Sequence, residues 1–296
     1  MLSRPVQRAL VLVTAVTLLG TAWSTVAKTY LDTSNPLVAN LPHPLHASSY
    51  FANKRNIFNT LFVKRAWAWT SAAIVLNLYS NPRRAPARIW RFALATACWA
   101  AFTMWFFGPS VRARLASLSG AECIVTLPHT TSDGVHVLTV PAEYCIQRRT
   151  LSTREHAEVF QQALLGNTGA PSIPDDWRGV PKLTRGHDIS GHVFLLSLSI
   201  LTLVDDLFTA APPSGAAGFA DTQLATAALS SALCALWYWM LLMTSVYFHA
   251  PFEKITGLIV GISAYLVTKI PFPFEGAPPV ISAQPVPVVP IEKKTQ

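Results

Sequence analysis

The sequence predicts an all-α, polytopic integral membrane protein with six transmembrane helices. Three observations carry that reading. Apolar residues make up 51% of the chain, only 13% are charged, and the charges are missing from long apolar runs rather than thinned evenly. Soluble globular chains carry about 25% charged residues, so the deficit points to a membrane protein and not to a greasy soluble domain. The formal net charge of +8 raises nucleic-acid binding as a class. The basic residues cluster beside the apolar runs, where topology and lipid headgroups account for them, and this argues against a nucleic-acid partner.

The first span is expected from about Ala9 to Ala27, behind the basic flank Arg4/Arg8. Its apolar run is longer than a signal-peptide core, which favours an uncleaved anchor. The second, near Ala66–Ser80, opens on Trp67 and Trp69, which suit an aromatic belt. At 15 residues it is short, about 22 Å as helix against roughly 30 Å of hydrocarbon. Extending it back to Leu61 puts Lys64 and Arg65 in its first turn. The third span covers Ile89–Phe107. A long polar connection, about 108–188, follows without a run long enough to cross. Spans four to six are expected near Ile189–Ala211, Thr222–Tyr247 and Ile255–Pro271. Residues 1–275 thus read as one membrane domain. The Pro- and Val-rich segment 276–296 reads as a disordered tail.

Arg83, Arg84, Arg88 and Arg91 surround the turn between spans two and three. With Arg4 and Arg8 they place that turn and the N-terminus in the cytosol. Lys54, Arg55, Lys64 and Arg65 oppose this bias. An even number of crossings then puts both termini on the cytosolic side. The same parity puts His192, at the start of span four, and His249, just past span five, on one common face. Cys123 and Cys145 flank a polar stretch and lack the spacing of a zinc site. Whether they are bonded depends on an oxidising compartment, which the sequence leaves open. Cys98 and Cys234 fall in apolar runs and read as packing residues.

Ionisable residues at membrane depth are costly and mark functional sites. One such histidine alone would read as an interfacial residue bonded to a carbonyl. The second cluster on the same face, Tyr247 to Lys254, changes that balance. Glu253 follows His249 by four residues, so a carboxylate can orient the ring through one nitrogen and strengthen the other as nucleophile or base. Two histidines, one with a carboxylate partner, can divide nucleophile and general-acid roles. A zinc site on the same histidines is the rival, and it lacks a clear third ligand beyond Asp188 or Glu253. Lys54, Arg55, Lys64, Arg65 and Arg185 are candidates to bind phosphate, against the plainer reading that they snorkel to headgroups. Asp205 and Asp206 lie 13 or more residues past His192, about 20 Å along a helix, so they belong to helix-end packing. Gly257 and Gly261 form a GxxxG that favours close helix packing.

Taken as a set, these motifs resemble the fat storage-inducing transmembrane family. They are Asn53-Lys54-Arg55-Asn56 with Phe62 to Thr70, then Asp188-Ile189-Ser190-Gly191-His192 with the apolar run to Leu196, then Tyr247-Phe248-His249 with Glu253-Lys254 and Gly257. The family is distantly similar to lipid phosphate phosphatases. There, a histidine in a Ser-Gly-His motif is the general acid and a later histidine, with an acidic residue four positions on, is the nucleophile. Ser190-Gly191-His192 matches the first motif, with Ile189 in place of the usual proline, and His249 with Glu253 matches the second. The phosphatases' Ser-Arg pair is broken, because Val246 follows Ser245, and their lysine-containing first motif is absent. Lys54, Arg55, Lys64, Arg65, Arg185 and Ser190 therefore stand in for the substrate-binding set.

The resemblance implies a fatty acyl-CoA diphosphatase of the endoplasmic reticulum membrane with a lumenal site, catalytic His192, His249 and Glu253, and no cofactor or metal. Its products would be acyl 4′-phosphopantetheine and adenosine 3′,5′-bisphosphate, and its consequence lipid-droplet formation and phospholipid balance. Membrane lipids including triacylglycerol are the other expected partners. The terminal Lys293-Lys294-Thr295-Gln296 resembles a dilysine retrieval signal. Two other readings stand beside this one: a non-catalytic protein that partitions triacylglycerol in the bilayer, and a lipid phosphate phosphatase.

Overall fold

In the computed structural model the described residues are 2–31, 42–103, 111–127, 137–147, 149–164, 174–184, 187, 189–210 and 221–271. The expected tail 276–296, Arg185 and Asp188 lie outside them. The helices described are α1 (Arg4–Val26), α2 (Ala66–Ser80), α3 (Ala85–Thr103), α4 (Val111–Leu118), α5 (Ala142–Ile146), α6 (Ala157–Leu164), α7 (Gly191–Ala210), α8 (Asp221–Tyr247) and α9 (Pro251–Val267). Between α4 and α7 lie the strands β1 (Glu122–Thr126), β2 (Val137–Thr139), β3 (Leu151–Ser152), β4 (Arg178–Gly179) and β5 (Lys182–Thr184).

The fold is mostly helical, and among the described residues three helices, α1, α7 and α8, are long and apolar enough to cross a membrane. They coincide with the first, fourth and fifth expected spans. α2 and α9 are shorter, at 15 and 17 residues, and α3 carries Arg88 and Arg91 near its start. The chain is helical well before α2. A π-helical turn, Phe58–Phe62, and a 3-10 turn, Val63–Arg65, run directly into it. Lys64 and Arg65 therefore sit on the 3-10 turn rather than in the first turn of a regular helix.

α7 is the centre of the bundle. It is apolar on every side, and such a helix is stable only when surrounded. Every residue from Val193 to Leu203 is buried, and α1, α2, α3, α8 and α9 all pack against it. α9 approaches most closely through the GxxxG pair. A Cβ on Gly257 would lie 2.7 Å from the Ser190 carbonyl oxygen, and one on Gly261 would lie 2.9 Å from that of Phe194. Only glycine permits that backbone contact, so the motif expected to pack does so, and it packs on α7.

At the Ala210 end of α7 the acidic pair is divided between two tasks. Asp206 is buried and accepts from Arg88 Nε at 2.7 Å, Arg88 Nη2 at 3.0 Å and Asn77 Nδ2 at 3.1 Å. Asn77 also donates to Ser230 Oγ at 3.0 Å. One network thus ties α2, α3, α7 and α8 together. Asp205, buried to a similar degree, pairs instead with Arg91 at 3.3 Å and Lys269 at 2.7 Å.

The long connection is not all-α, which corrects the fold class in this region. β1 is the middle strand of a three-stranded antiparallel sheet in the order β2-β1-β5, and β3 pairs with β4. Two to five residues per strand leave too little alternation to register against the apolar spans. Cys123, Val125, Leu138, Leu151 and Phe160 form a second small core beneath the sheet. Cys123 and Cys145 are disulfide-bonded and join β1 to α5 across it. A core this small gains more from a covalent staple than a large one.

Candidate active site

α8 ends at Tyr247 and α9 begins at Pro251, so His249 lies on the tight turn between them. Its φ is +64°, in the left-handed region that non-glycine residues rarely occupy. Strain of this kind costs about 1–3 kcal/mol and persists only where neighbours fix it. The neighbours here are the groups that satisfy the carbonyls left over at the end of α8. Lys254 Nζ donates to the Ser245 carbonyl, and Thr29 Oγ1 donates to that of Val246 at 2.8 Å. The Tyr247 carbonyl takes the Leu31 N–H and His43 Nε2, both at 3.0 Å. His43 Nδ1 accepts from the Leu45 N–H at 3.0 Å, which places its proton on Nε2. That proton is shared between the carbonyls of Tyr247 and Thr29. Burial pushes the His43 imidazole below its ordinary value, against the opposing pull of those two carbonyls.

Glu253 closes the turn from the other side. Its Oε2 accepts the Ala250 N–H at 3.1 Å and lies 3.1 Å from His249 Nδ1. This is the glutamate half of a capping box, with Pro251 at the first helical position. Ala250 has no side-chain oxygen to supply the other half. The pairing of His249 with Glu253, expected from helical i,i+4 spacing, is therefore made by a cap. His249 itself is outside the helix. Against an ionised carboxylate Nδ1 is the donor, and Nε2 keeps its lone pair.

His192 reaches the same place from the first turn of α7. The two imidazole rings stand 6.4 Å apart, centre to centre, at 60°. α7 is anchored here by the Ser190 N–H, which donates to the Glu253 backbone carbonyl at 3.0 Å. The Ser190 hydroxyl, expected to touch substrate, is fully buried and accepts from the Val193 N–H at 3.4 Å. It caps α7. His187 joins the same face, with Nε2 2.9 Å from Thr256 Oγ1.

The expected phosphate-binding residues are only partly gathered. The Val63–Arg65 turn packs against α7. Lys64 and Arg65 are exposed. Arg55 is exposed on a separate turn, where its backbone N–H donates to Asn53 Oδ1. Lys54 is half-buried, and burial together with the nearby Lys182 ammonium pushes its amine below the ordinary value. Lys182 is a cation the sequence reading passed over, because it sits in the sheet of the connection. Thr29, His43 and the role of Lys254 were also missed. The one legible signal was a lysine beside Glu253. It is fully buried and bonded to Ser24 Oγ of α1 at 2.8 Å.

The bundle and this turn define an integral membrane protein with a histidine–carboxylate pair facing a second histidine. The chain belongs to the fat storage-inducing transmembrane protein family, whose profile it matches over residues 47–217 and 215–268. It is 30% identical over 225 residues to the acyl-coenzyme A diphosphatase fit1 of Schizosaccharomyces pombe, covering 75% of this chain and 74% of that protein. It is 29% identical to the acyl-coenzyme A diphosphatase FITM2 of Sus scrofa and 26% identical to that of Homo sapiens, in each case over 74% of this chain and 71% of the relative. No solved structure matches the chain.

Proposed function

We propose that this chain is a fatty acyl-CoA diphosphatase that cleaves the CoA pyrophosphate to acyl 4′-phosphopantetheine and adenosine 3′,5′-bisphosphate. The observation that carries the reading is the His249–Glu253 contact at 3.1 Å with His192 across from it. His249 Nε2 attacks one phosphorus and the bridging P–O bond breaks. Glu253 stabilises the positive charge that the ring acquires. His192 gives a proton to the departing phosphate. Water then attacks the phosphohistidine, its proton returning to His192, and the second product leaves. Two rings 6.4 Å apart leave room for a phosphoryl group between them. Lys64, on the turn that packs against α7, serves as counter-cation, with Lys54, Arg55, Arg65 and Arg185 as further candidates and Ser190 acting through the position of α7.

The topology goes with this reading: six spans, with α2, α3 and α9 joining α1, α7 and α8. Both termini face the cytosol and the histidines face the lumen of the endoplasmic reticulum, residues 1–275 forming the membrane domain and 276–296 a cytosolic tail. The Cys123–Cys145 bond supports a lumenal connection, since disulfides persist in oxidising compartments. The contacts of α1 with α7, α8 and α9, and of Ser24 with Lys254, support an anchor that stays in place. The acyl chain remains in the bilayer during the reaction, and the consequence is lipid-droplet formation and phospholipid balance.

The test is to supply oleoyl-CoA to the detergent-purified protein and look for adenosine 3′,5′-bisphosphate by mass spectrometry. His249→Ala runs alongside. Product from the wild type and none from a folded variant is the expected result. No product from a folded wild type across several acyl lengths would move the reading to triacylglycerol partitioning. Inorganic phosphate released from phosphatidate would move it to a lipid phosphatase.

A further inference from the structure

We infer that the end of the bundle away from the histidines binds the phosphate of an anionic phospholipid headgroup. A cavity of about 560 Å³ opens there, and its wall holds Arg84, Arg91 and Lys269 against the single carboxylate of Asp205. The three cations converge from separate parts of the chain: the turn before α3, α3 itself and the residues after α9. Asp205 lies 13 residues past His192 on α7, about 20 Å along the helix, so this cavity is not part of the histidine site.

The cations keep donors to spare. Arg91 uses Nη1 on Asp205 at 3.3 Å and on Thr209 Oγ1 at 3.0 Å, out of the five N–H donors of a guanidinium. Lys269 meets Asp205 at 2.7 Å and lies over the Tyr265 ring, 4.7 Å from its centre, one hydrogen-bonded ion pair for an ammonium with three donors. Both side chains are about a quarter to a third exposed, while Asp205 is 12% exposed. The carboxylate thus lies deeper and holds the two cations together. Arg84 is exposed and its side chain makes no hydrogen bond or ion pair among the described residues. Its backbone φ of +50° fixes the turn that presents it.

Net positive charge of this kind, half-buried at a helix end, suits a phosphate. The lining favours a lipid over a soluble anion. Phe208 and Leu266 line the same cavity and are 54% and 47% exposed, giving acyl chains an apolar flank beside the charge. Under the topology proposed above, this face meets the cytosolic leaflet, where anionic lipids concentrate.

The experiment is native mass spectrometry of the full chain in dodecyl maltoside. Dioleoyl phosphatidate, dioleoyl phosphatidylcholine and glycerol 3-phosphate are offered separately at equal concentration. Phosphatidate adducts should exceed phosphatidylcholine adducts. Arg84→Asn should weaken phosphatidate binding about fivefold, and adding Lys269→Gln should weaken it about fivefold again. Asparagine tolerates the left-handed backbone, so the first variant keeps its thermal midpoint, and Arg84→Lys keeps the adduct. Equal adducts in the wild type and Arg84→Asn would overturn the site. Variant-sensitive binding of glycerol 3-phosphate without phosphatidate adducts would overturn the lipid source. The readout involves no hydrolysis, so it stands apart from the proposed enzyme activity.

Discussion

Glu253→Gln isolates what the carboxylate contributes, because the amide keeps the shape and can still accept the Ala250 N–H. The cap is retained, and stability should fall by less than about 1 kcal/mol. What disappears is charge beside His249 at 3.1 Å. In the ground state a charge-assisted hydrogen bond, about 1.5–3 kcal/mol, becomes a neutral one of about 0.5–1.5 kcal/mol. That difference bears on the ground state and does not itself slow attack; a water-like dielectric, with about 1 kcal/mol between unit charges about 4 Å apart, sets the lower bound at about fivefold in rate. During attack the ring becomes cationic, and the lost attraction is larger. Unit charges about 4 Å apart at an effective dielectric near 20 interact by about 4 kcal/mol, or about 10³-fold. Glu253 is 3% exposed, so water screens the pair little.

The turnover number should therefore fall between about fivefold and about 10³-fold, with KM little changed, since the charge develops only in the transition state. Release of adenosine 3′,5′-bisphosphate from oleoyl-CoA measures it, with the thermal midpoint as the control for folding. Turnover within threefold of wild type in a folded variant would refute the assignment. A tenfold rise in KM at unchanged turnover would refute it too, by making Glu253 a substrate-binding residue.

Three further outcomes are expected. Gly257→Ala puts a methyl 2.7 Å from the Ser190 carbonyl oxygen, so it should cost about 1–3 kcal/mol by overpacking and lower turnover by displacing His192; an unchanged midpoint by thermal unfolding would count against the close packing. Arg88→Ala leaves Asp206 charged and buried, and should destabilise by about 3–5 kcal/mol, read as a lowered thermal or denaturant midpoint. His43 is held below its usual 6.5 in the fold, so the unfolded chain takes up its proton first. Its stabilisation is full above about pH 6.5 and is lost as pH falls below that, by at most about 1.4 kcal/mol per pH unit. Thermal midpoints from pH 7.5 to 5 should fall more steeply in the wild type than in His43→Gln, and parallel profiles would sink this account.

The sequence by itself determined the helical membrane character, the separation of His192 from Asp205, and the residues of the histidine–carboxylate pair. Each of these follows from local information: apolar run length, rise per residue, or spacing in a short motif. The tertiary structure decided how that motif is built. Helical spacing named Glu253 for a reason that does not hold, because His249 stands outside α9 in a left-handed turn. That turn is held by Thr29, Leu31 and His43, more than 200 residues away in the chain. No periodicity reports such contacts, since they arise only when α1 packs along α8 and brings the segment after it to the end of that helix. The sheet in the connection escaped for a related reason. Strands of two to five residues are fixed by their partners and by the Cys123–Cys145 bond, not by their own pattern. The cations divide the same way. Composition marked them as a membrane-flanking set, but only packing could separate Arg88, buried on Asp206, from Arg91 and Lys269 around an open cavity and from Lys64 on the turn packed against α7.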